Sequence, residues 1–137
     1  MIEPKSSFPV FTVKDLTAAK NFYTENLGFT VAFDGDWYIH LISTSGVQIG
    51  FLLPDQPSQP PIFQKPYLRE GVIFSLEVED VDASYTVAKS KSLNIVLELQ
   101  SEEWGQRHFS IEDPNGIYID ILQYFEPTDE YQTDYVS

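Results

Sequence analysis

The chain has 137 residues, 42% hydrophobic and 15% aromatic, which fits one globular domain with its own core. It contains no cysteine, which excludes disulfides, thiolate nucleophiles and sulfur metal ligands. Eight basic residues against 21 acidic ones give a formal net charge of -13, which argues against nucleic acid as a partner and suits a neutral or cationic small ligand.

Both ends of the chain are polar. Residues 1–8 lack the charged and then apolar pattern of a secretory leader, and no apolar run reaches the roughly 18 residues of a membrane helix. We therefore expect a soluble, cytoplasmic protein with no membrane partner. Residues 126–137 are acidic and nearly free of apolar side chains, so we expect a loose tail.

The first clear element is a strand that runs into an amphipathic helix, in the stretch FTVKDLTAAKNFYTENLGF. Asp15 is placed to cap the helix and Gly28 to end it. Further along, LEVEDVDASYTVAKSKSLNI repeats this plan, with Asp80 in the place of Asp15. GVQIGFLL and GIYIDILQ also match each other, each with a turn glycine opening an alternating strand. Internal duplication explains all of these matches.

The duplication divides the chain into two modules of strand, helix and about three further strands. Module one covers about residues 7–53 and module two about residues 71–125, within one domain of residues 1–137. Residues 54–70 form a proline-rich linker, because its prolines exclude a central strand or helix. Its apolar residues Ile62, Phe63 and Tyr67 fit either a packed crossover loop or a lid over a pocket.

Strand alternation assigns each side chain to one of two sheet faces. The helix-covered face is predicted to hold Ile39, Leu41, Phe74, Leu76, Val78, Phe109 and Ile111. The other face mixes aromatic and polar groups, as a small-molecule cleft requires: Phe8, Tyr38, His40, Gln48, Gly50, Leu52, Ile73, Ser75, Glu77, His108, Ser110, Tyr118 and Asp120. For Trp37, which opens a strand, we expect a packing role.

Three stretches, VKDLTAAKNFYTENLGF, VEDVDASY and WGQRHFSIEDPNGIYIDIL, resemble the vicinal oxygen chelate superfamily. That superfamily includes lactoylglutathione lyases, extradiol dioxygenases, fosfomycin-resistance enzymes and bleomycin-resistance proteins. The resemblance implies an α+β fold of two tandem βαβββ modules, whose sheets form a curved mixed sheet around a cleft. It also implies a homodimer.

The resemblance implies that metal-binding members of that superfamily place ligands at up to four equivalent positions, two in each module. In this sequence the matching positions hold Phe8, Gly50, Ile73 and Asp120. Because zinc, nickel or iron needs at least three protein ligands, one carboxylate is insufficient. We therefore expect no metal and no other cofactor, and we assign no catalytic residue.

Asp120 needs a partner, water or a proton if it is buried, because an unpaired buried carboxylate is costly. Arg107 or either histidine would serve, or Asp120 contacts a ligand instead. A displaced metal site made of His40, His108, Glu77 and Asp120 is a further alternative. Trp104 and Arg107 fit a ligand site by stacking and charge, or a packed loop with Arg107 in a surface ion pair.

The favoured interpretation is a protein similar to the bleomycin-resistance members that binds a small aromatic or cationic ligand in a metal-free cleft. Whether it is an enzyme is left open. One alternative is a metal-dependent lyase or dioxygenase with a rearranged metal site, and another is a structural or regulatory dimer whose cleft is filled by Phe8, Ile73 and Leu52. The candidate ligand-binding residues are Phe8, Tyr38, His40, Gln48, Gly50, Ile73, Ser75, Glu77, Trp104, Arg107, Tyr118 and Asp120.

Overall fold

A computed structural model describes residues 1–135, and residues 136–137 lie outside the described part. The chain separates into two compact units, Met1–Leu68 and a second one that begins at Arg69. Each unit contains one of the predicted modules. The predicted grouping of both modules into a single domain stays a prediction.

Module one has the order strand, helix and three strands. Its elements are β1 (Val10–Thr12), α1 (Leu16–Asn26), β2 (Phe29–Asp34), β3 (Tyr38–Ser43) and β4 (Gln48–Leu52). They form a four-stranded sheet in the order β1-β4-β3-β2, in which β1 runs parallel to β4 and the other pairs are antiparallel.

Module two repeats that order and that sheet topology. Its elements are β5 (Phe74–Glu77), α2 (Val81–Ser90), β6 (Ile95–Glu102), β7 (Gln106–Glu112) and β8 (Tyr118–Tyr124). The sheet order is β5-β8-β7-β6, again with only the first pair parallel among the described strands. The α+β class and the two tandem βαβββ modules are therefore confirmed.

Both helices begin at the predicted aspartates. The side chain of Asp15 accepts a hydrogen bond of 2.9 Å from the Ala18 amide, and Asp80 accepts one of 3.0 Å from the Ala83 amide. Each bond satisfies one of the backbone donors that a helix start leaves unpaired. Among residues 1–135, no helix combines the length and apolarity needed to cross a bilayer.

The core of each module lies between its helix and one face of its sheet. In module one the buried Tyr23 of α1 contacts Phe29 and Phe51, at ring-centroid distances of 5.8 and 5.0 Å. In module two Tyr85 of α2 meets the buried Phe109 at 5.1 Å. Of the residues predicted on the helix side, Ile39, Leu41, Phe109 and Ile111 are buried, whereas Phe74, Leu76 and Val78 are half-buried.

The proline-rich linker packs partly on module one. The Tyr67 amide donates to the Thr12 carbonyl at 2.7 Å, and the Tyr67 ring meets Phe11 at 5.1 Å. Pro61–Phe63 forms a short 3-10 helix whose Ile62 and Phe63 are exposed. Tyr67 thus behaves as part of a packed crossover.

The C-terminal segment, predicted from its polarity to be loose, makes backbone contacts over the residues that the structure describes, and its looseness stays a prediction. A four-residue helix, α3 (Asp129–Gln132), follows β8, and the amides of Phe125 and Thr128 donate to the carbonyls of Gly105 and Glu103 at 2.8 and 3.1 Å. Backbone hydrogen bonds make these contacts, and backbone groups leave no mark in the side-chain pattern of a sequence.

Replacing the helix cap of module two tests its energetic role. We expect Asp80→Ala to lower the free energy of unfolding by about 1 kcal/mol, because the Ala83 amide loses its acceptor. Urea denaturation followed by circular dichroism measures the change. Glu79→Ala, at an exposed neighbouring position, is the control, and equal losses in both variants would contradict a capping role.

Candidate functional site

Module two gathers polar side chains on the face of its sheet opposite α2. Ser110 and Asp120 are direct partners across β7 and β8, and His108 lies opposite Leu122 one step further along. His108 and Asp120 are each only 9% exposed. Two titratable side chains are therefore buried next to each other, so each needs a partner.

The partners are found among four side chains, which we call the polar cluster: Glu102, His108, Ser110 and Asp120. Nδ1 of His108 lies 2.8 and 3.0 Å from the two Asp120 oxygens, and its Nε2 lies 2.9 Å from Oε2 of Glu102. The Ser110 hydroxyl donates to Asp120 Oδ1 at 2.8 Å. Because ionised carboxylates only accept hydrogen bonds, this arrangement favours a histidine with a proton on both nitrogens.

The charges of the polar cluster follow from these bonds. Burial lowers the pKa of His108, but the hydrogen bonds to Glu102 and Asp120 outweigh burial and raise the pKa above its ordinary value of 6.5. The pKa of Glu102 is lowered in turn, first by His108 and then by the Gln100 amide, which donates at 2.6 Å. His108 thus lies between two carboxyl groups, and its bonds to them favour the protonated form of its ring.

Trp104 and Arg107, both predicted to contact a ligand, have different neighbours in the structure. The Trp104 ring meets His108 edge-on at a centroid distance of 6.4 Å and is 40% exposed. Arg107 instead lies on the helix side, where it donates to both oxygens of Asp82 at 3.1 and 2.9 Å and to the Ser101 hydroxyl at 3.0 Å. Arg107 therefore forms the ion pair that the sequence left as an alternative, and His108 is the partner of Asp120.

Module one has a corresponding group of hydrogen-bonded side chains on the same face of its own sheet, formed by Tyr38, His40 and Gln48. The Tyr38 hydroxyl lies 2.6 Å from Nδ1 of His40, and Nε2 of His40 lies 2.7 Å from Oε1 of Gln48. Since the amide oxygen of Gln48 only accepts, Nε2 of His40 is placed to donate to it. Burial raises the pKa of Tyr38, which favours its neutral form. Phe8 packs edge-on against His40 at 4.6 Å.

The two modules show the same diagonal contact with different chemistry. A Cβ built on Gly50 would collide with the Tyr38 hydroxyl, so Tyr38 fills the space above Gly50. In module two the corresponding strand positions hold His108 and Asp120, which bond to each other. In both modules a side chain of the third strand thus covers one residue of the last strand. Tyr38 covers Gly50 in module one, and His108 contacts Asp120 in module two.

The remaining predicted residues lie nearer the edges of the sheets. Ser75 pairs in register with Asp120, and Glu77 pairs with Leu122, which places both beside the polar cluster, on exposed positions of β5. Ile73 and Tyr118 are exposed as well. Within the structure described, neither Ser75 nor Glu77 makes a side-chain bond that draws it into the cluster.

The donor atoms at the four family positions do not fit a metal. Phe8, Gly50 and Ile73 have no ligating side-chain atom, and both oxygens of Asp120 accept hydrogen bonds. In the displaced site each ring nitrogen of His40 and His108 already has a hydrogen-bond partner, which a metal ion would have to replace. Over residues 1–135, no group of three or more His, Asp or Glu side chains is arranged to hold an ion.

Sequence reasoning missed Glu102 and an aromatic cavity in module one. The cavity has a volume of about 370 Å³ and is lined by Phe33, Gly35, Asp36, Trp37 and Tyr38. Trp37 is 36% exposed and lines this cavity, so one side of its ring is accessible, and the expected packing role stays a prediction. The available signal was the short turn between β2 and β3, which places Phe33 and Trp37 on either side of a glycine and two acids.

The raised pKa of His108 predicts a pH-dependent stability. Because the folded state holds this proton more tightly than the unfolded chain, the stabilisation is complete below about pH 6.5 and is lost as the pH rises through the folded pKa. We expect Glu102→Gln to reduce this loss, whose slope is at most about 1.4 kcal/mol per pH unit for one proton. Urea denaturation at pH values from about 5.5 to 9 measures the pH dependence of the free energy of unfolding.

Glu103→Gln is the matched control, because it removes an adjacent, exposed carboxylate that is not bonded to His108. The same pH dependence in the wild type and both variants would show that His108 does not hold its proton through Glu102.

The contact of Tyr38 with Gly50 gives a second prediction. We expect Gly50→Ala to destabilise the protein by about 1–3 kcal/mol, because the new methyl group overlaps the Tyr38 hydroxyl. Adding Tyr38→Ala should make the loss smaller than the sum of the single losses. Chemical denaturation of the four proteins measures this coupling, and strictly additive losses would contradict the contact.

Comparison with known proteins agrees with this architecture. Residues 7–121 match the family model described as the Glyoxalase/Bleomycin resistance protein/Dioxygenase superfamily. A search of curated proteins finds no match.

Solved structures share the fold at low sequence identity. A superfamily member from Sphaerobacter thermophilus is 22% identical with a TM-score of 0.70, over 90% of this chain and 99% of that one. A virulence protein from Salmonella typhimurium is 22% identical with a TM-score of 0.71, over 91% and 100% of the two chains. A lactoylglutathione lyase from Agrobacterium tumefaciens is 17% identical with a TM-score of 0.71, over 88% and 94%.

The matched segment spans both βαβββ modules and includes both diagonal contacts. The chain therefore belongs to the glyoxalase/bleomycin resistance protein/dioxygenase superfamily.

Proposed function

We propose that the protein binds a small planar aromatic ligand with a positive charge and holds it without a metal ion. The observation that carries this proposal is the aromatic cavity of module one. Its volume of about 370 Å³ lies within the range of small-molecule sites. Its walls are aromatic side chains that remain accessible, because Phe33 is 57% and Trp37 is 36% exposed.

The cavity continues into a strip of rings on the same sheet face. Phe33 and Tyr38 have ring centroids 6.2 Å apart, and Tyr38 in turn lies 5.9 Å from His40. Aromatic faces attract both planar rings and cations through their quadrupoles. A ligand stacked on Trp37 would therefore find further rings along its length.

The charge of the site favours a cation over an anion. Asp36 lines the cavity, and no basic side chain does. The whole chain carries a formal net charge of -13, which raises the local concentration of cations near its surface. An aromatic wall with one carboxylate and no cation matches a positively charged aromatic compound.

The polar cluster of module two is a separate candidate for polar ligand contacts within its own unit. Its imidazolium and carboxylates are already paired, so their positions are fixed before a ligand arrives. The exposed edge of Trp104 lies next to His108 and adds an apolar surface. We assign Ser75, Glu77 and Tyr118 to the same face as secondary ligand contacts.

We further propose that the protein is a homodimer. Large apolar side chains near the first strand of each module are exposed, and a second copy would bury them: Phe8, Val10, Val72 and Ile73. Exposed apolar side chains of this kind mark interaction surfaces when they are contiguous. Analytical ultracentrifugation would detect the dimer.

The alternative is a metal-dependent lyase or dioxygenase, since one similar structure is a lactoylglutathione lyase. For this chain it requires a ring nitrogen of His108 to leave Glu102 or Asp120. Elemental analysis of protein purified without chelators separates the two proposals. One bound transition metal per chain would replace the binding proposal with the metal enzyme.

A dye titration tests the cavity directly. We expect proflavine, a planar aromatic cation, to quench Trp37 fluorescence with saturable binding, because it stacks on the cavity rings. Phe33→Ala should weaken binding about tenfold, as expected for the loss of one aromatic contact. Asp36→Asn should weaken it less, and the anion anilinonaphthalene sulfonate should bind poorly.

Phe63→Ala is the matched control, because Phe63 is an exposed phenylalanine of the same unit that does not line the cavity. Equal affinity of the wild type and Phe33→Ala for proflavine would contradict binding at this cavity. Preference for the anion would contradict the assigned charge of the ligand.

A further inference from the structure

The C-terminal segment is attached to the turn that carries part of the candidate site. We call residues 125–135 the strap. The turn between β6 and β7 presents three successive carbonyls, from Glu103, Trp104 and Gly105, and all three accept hydrogen bonds from the strap. The donors are the Thr128 amide at 3.1 Å, the Tyr135 hydroxyl and the Phe125 amide at 2.8 Å.

The turn and the strap are in close backbone contact at Gly105. This residue is buried and has φ of +104°, a conformation that glycine adopts without strain. A Cβ at this position would lie 2.8 Å from the Phe125 carbonyl oxygen and 3.2 Å from Cβ of Pro127. Only a residue without a side chain lets the strap lie this close.

The same turn determines what covers His108. The Gly105 amide donates to the Glu102 carbonyl at 3.1 Å and closes the turn, while the Glu102 carboxylate holds Nε2 of His108. Trp104, between them, presents its ring edge-on to His108. Fixing the three carbonyls of the turn therefore fixes the two side chains that cover one edge of His108.

The strap has the composition of a segment that can detach. It carries four carboxylates and no basic side chain, and its helix has only four residues. The bonds described above join the strap to the turn at three backbone carbonyls, and the acids Glu102 and Glu103 lie next to them. Local regions held by few buried contacts open at low free energy.

We propose that the strap is a positioning device that keeps Trp104 and Glu102 against His108, and that its release uncovers this edge of the polar cluster. This inference does not depend on which ligand the protein binds. It gives the C-terminal segment a role in controlling access to His108, which the proposed function alone does not assign.

Hydrogen exchange combined with fluorescence tests the proposal on the full chain. We expect Tyr135→Phe to raise the exchange rates of the Phe125, Thr128 and Gly105 amides about fivefold, the ratio that follows from losing one ordinary hydrogen bond. Trp37→Phe leaves Trp104 as the only tryptophan, and in that background acrylamide quenching of Trp104 should increase. Tyr131→Phe, within the strap and without a bond to the turn, should change neither signal.

A second pair of variants acts through the backbone. Gly105→Ala should displace the strap by collision, so that the amides of Phe125 and Thr128 lose protection and Trp104 becomes more accessible. Gly46→Ala is the control, because Gly46 also has a positive φ, of +91°, but its Cβ would meet nothing within 4 Å.

Two results would overturn the proposal. Unchanged amide exchange in both Tyr135→Phe and Gly105→Ala would show that these contacts do not hold the strap. Increased amide exchange with unchanged quenching of Trp104 would show that the strap does not position Trp104 over His108.

Discussion

The burial of a carboxylate on the last strand of module two is the constraint on which the rest of the site depends. Asp120 is almost inaccessible to solvent, so its charge must be compensated within the protein. His108 supplies that compensation from the neighbouring strand, and Ser110 adds a further hydrogen bond. Once His108 is charged, its other nitrogen needs an acceptor as well, and Glu102 provides it. The interaction thus extends from the sheet interior to the β6–β7 turn.

Module one has the same diagonal contact without a carboxylate on its last strand. Gly50 removes the carboxylate altogether, and Tyr38 fills the vacated space with a ring whose hydroxyl bonds to His40. The two modules therefore share one sheet topology but carry different side chains on it, an ion pair in module two and an aromatic network in module one. This divergence explains why a shared superfamily fold does not fix a shared chemistry. In this chain it places the aromatic surface in one module and the paired charges in the other.

The fold could be predicted from the sequence because repeated local signals agree with each other. Asp15 and Asp80 mark the two helix starts, and alternation places residues such as Leu41 and Phe109 in the core. Alternation also places Arg107 on the helix side with Phe109, and the expectation of a ligand contact at Arg107 ran against that pattern. Glu102 could not be assigned in this way, because irregular pairing between β6 and β7 shifts the register between Leu97 and Gln100.

The central claim is that hydrogen bonds to Asp120 and Glu102 hold both ring nitrogens of His108. Nitrogen NMR of the His108 ring near neutral pH, before and after addition of zinc, tests this most directly. The account predicts two ring N–H signals in both samples, since both nitrogens bind carboxylates. Loss of one N–H signal with a change in the nitrogen shift on adding zinc would mean that His108 binds the metal, which would contradict the account.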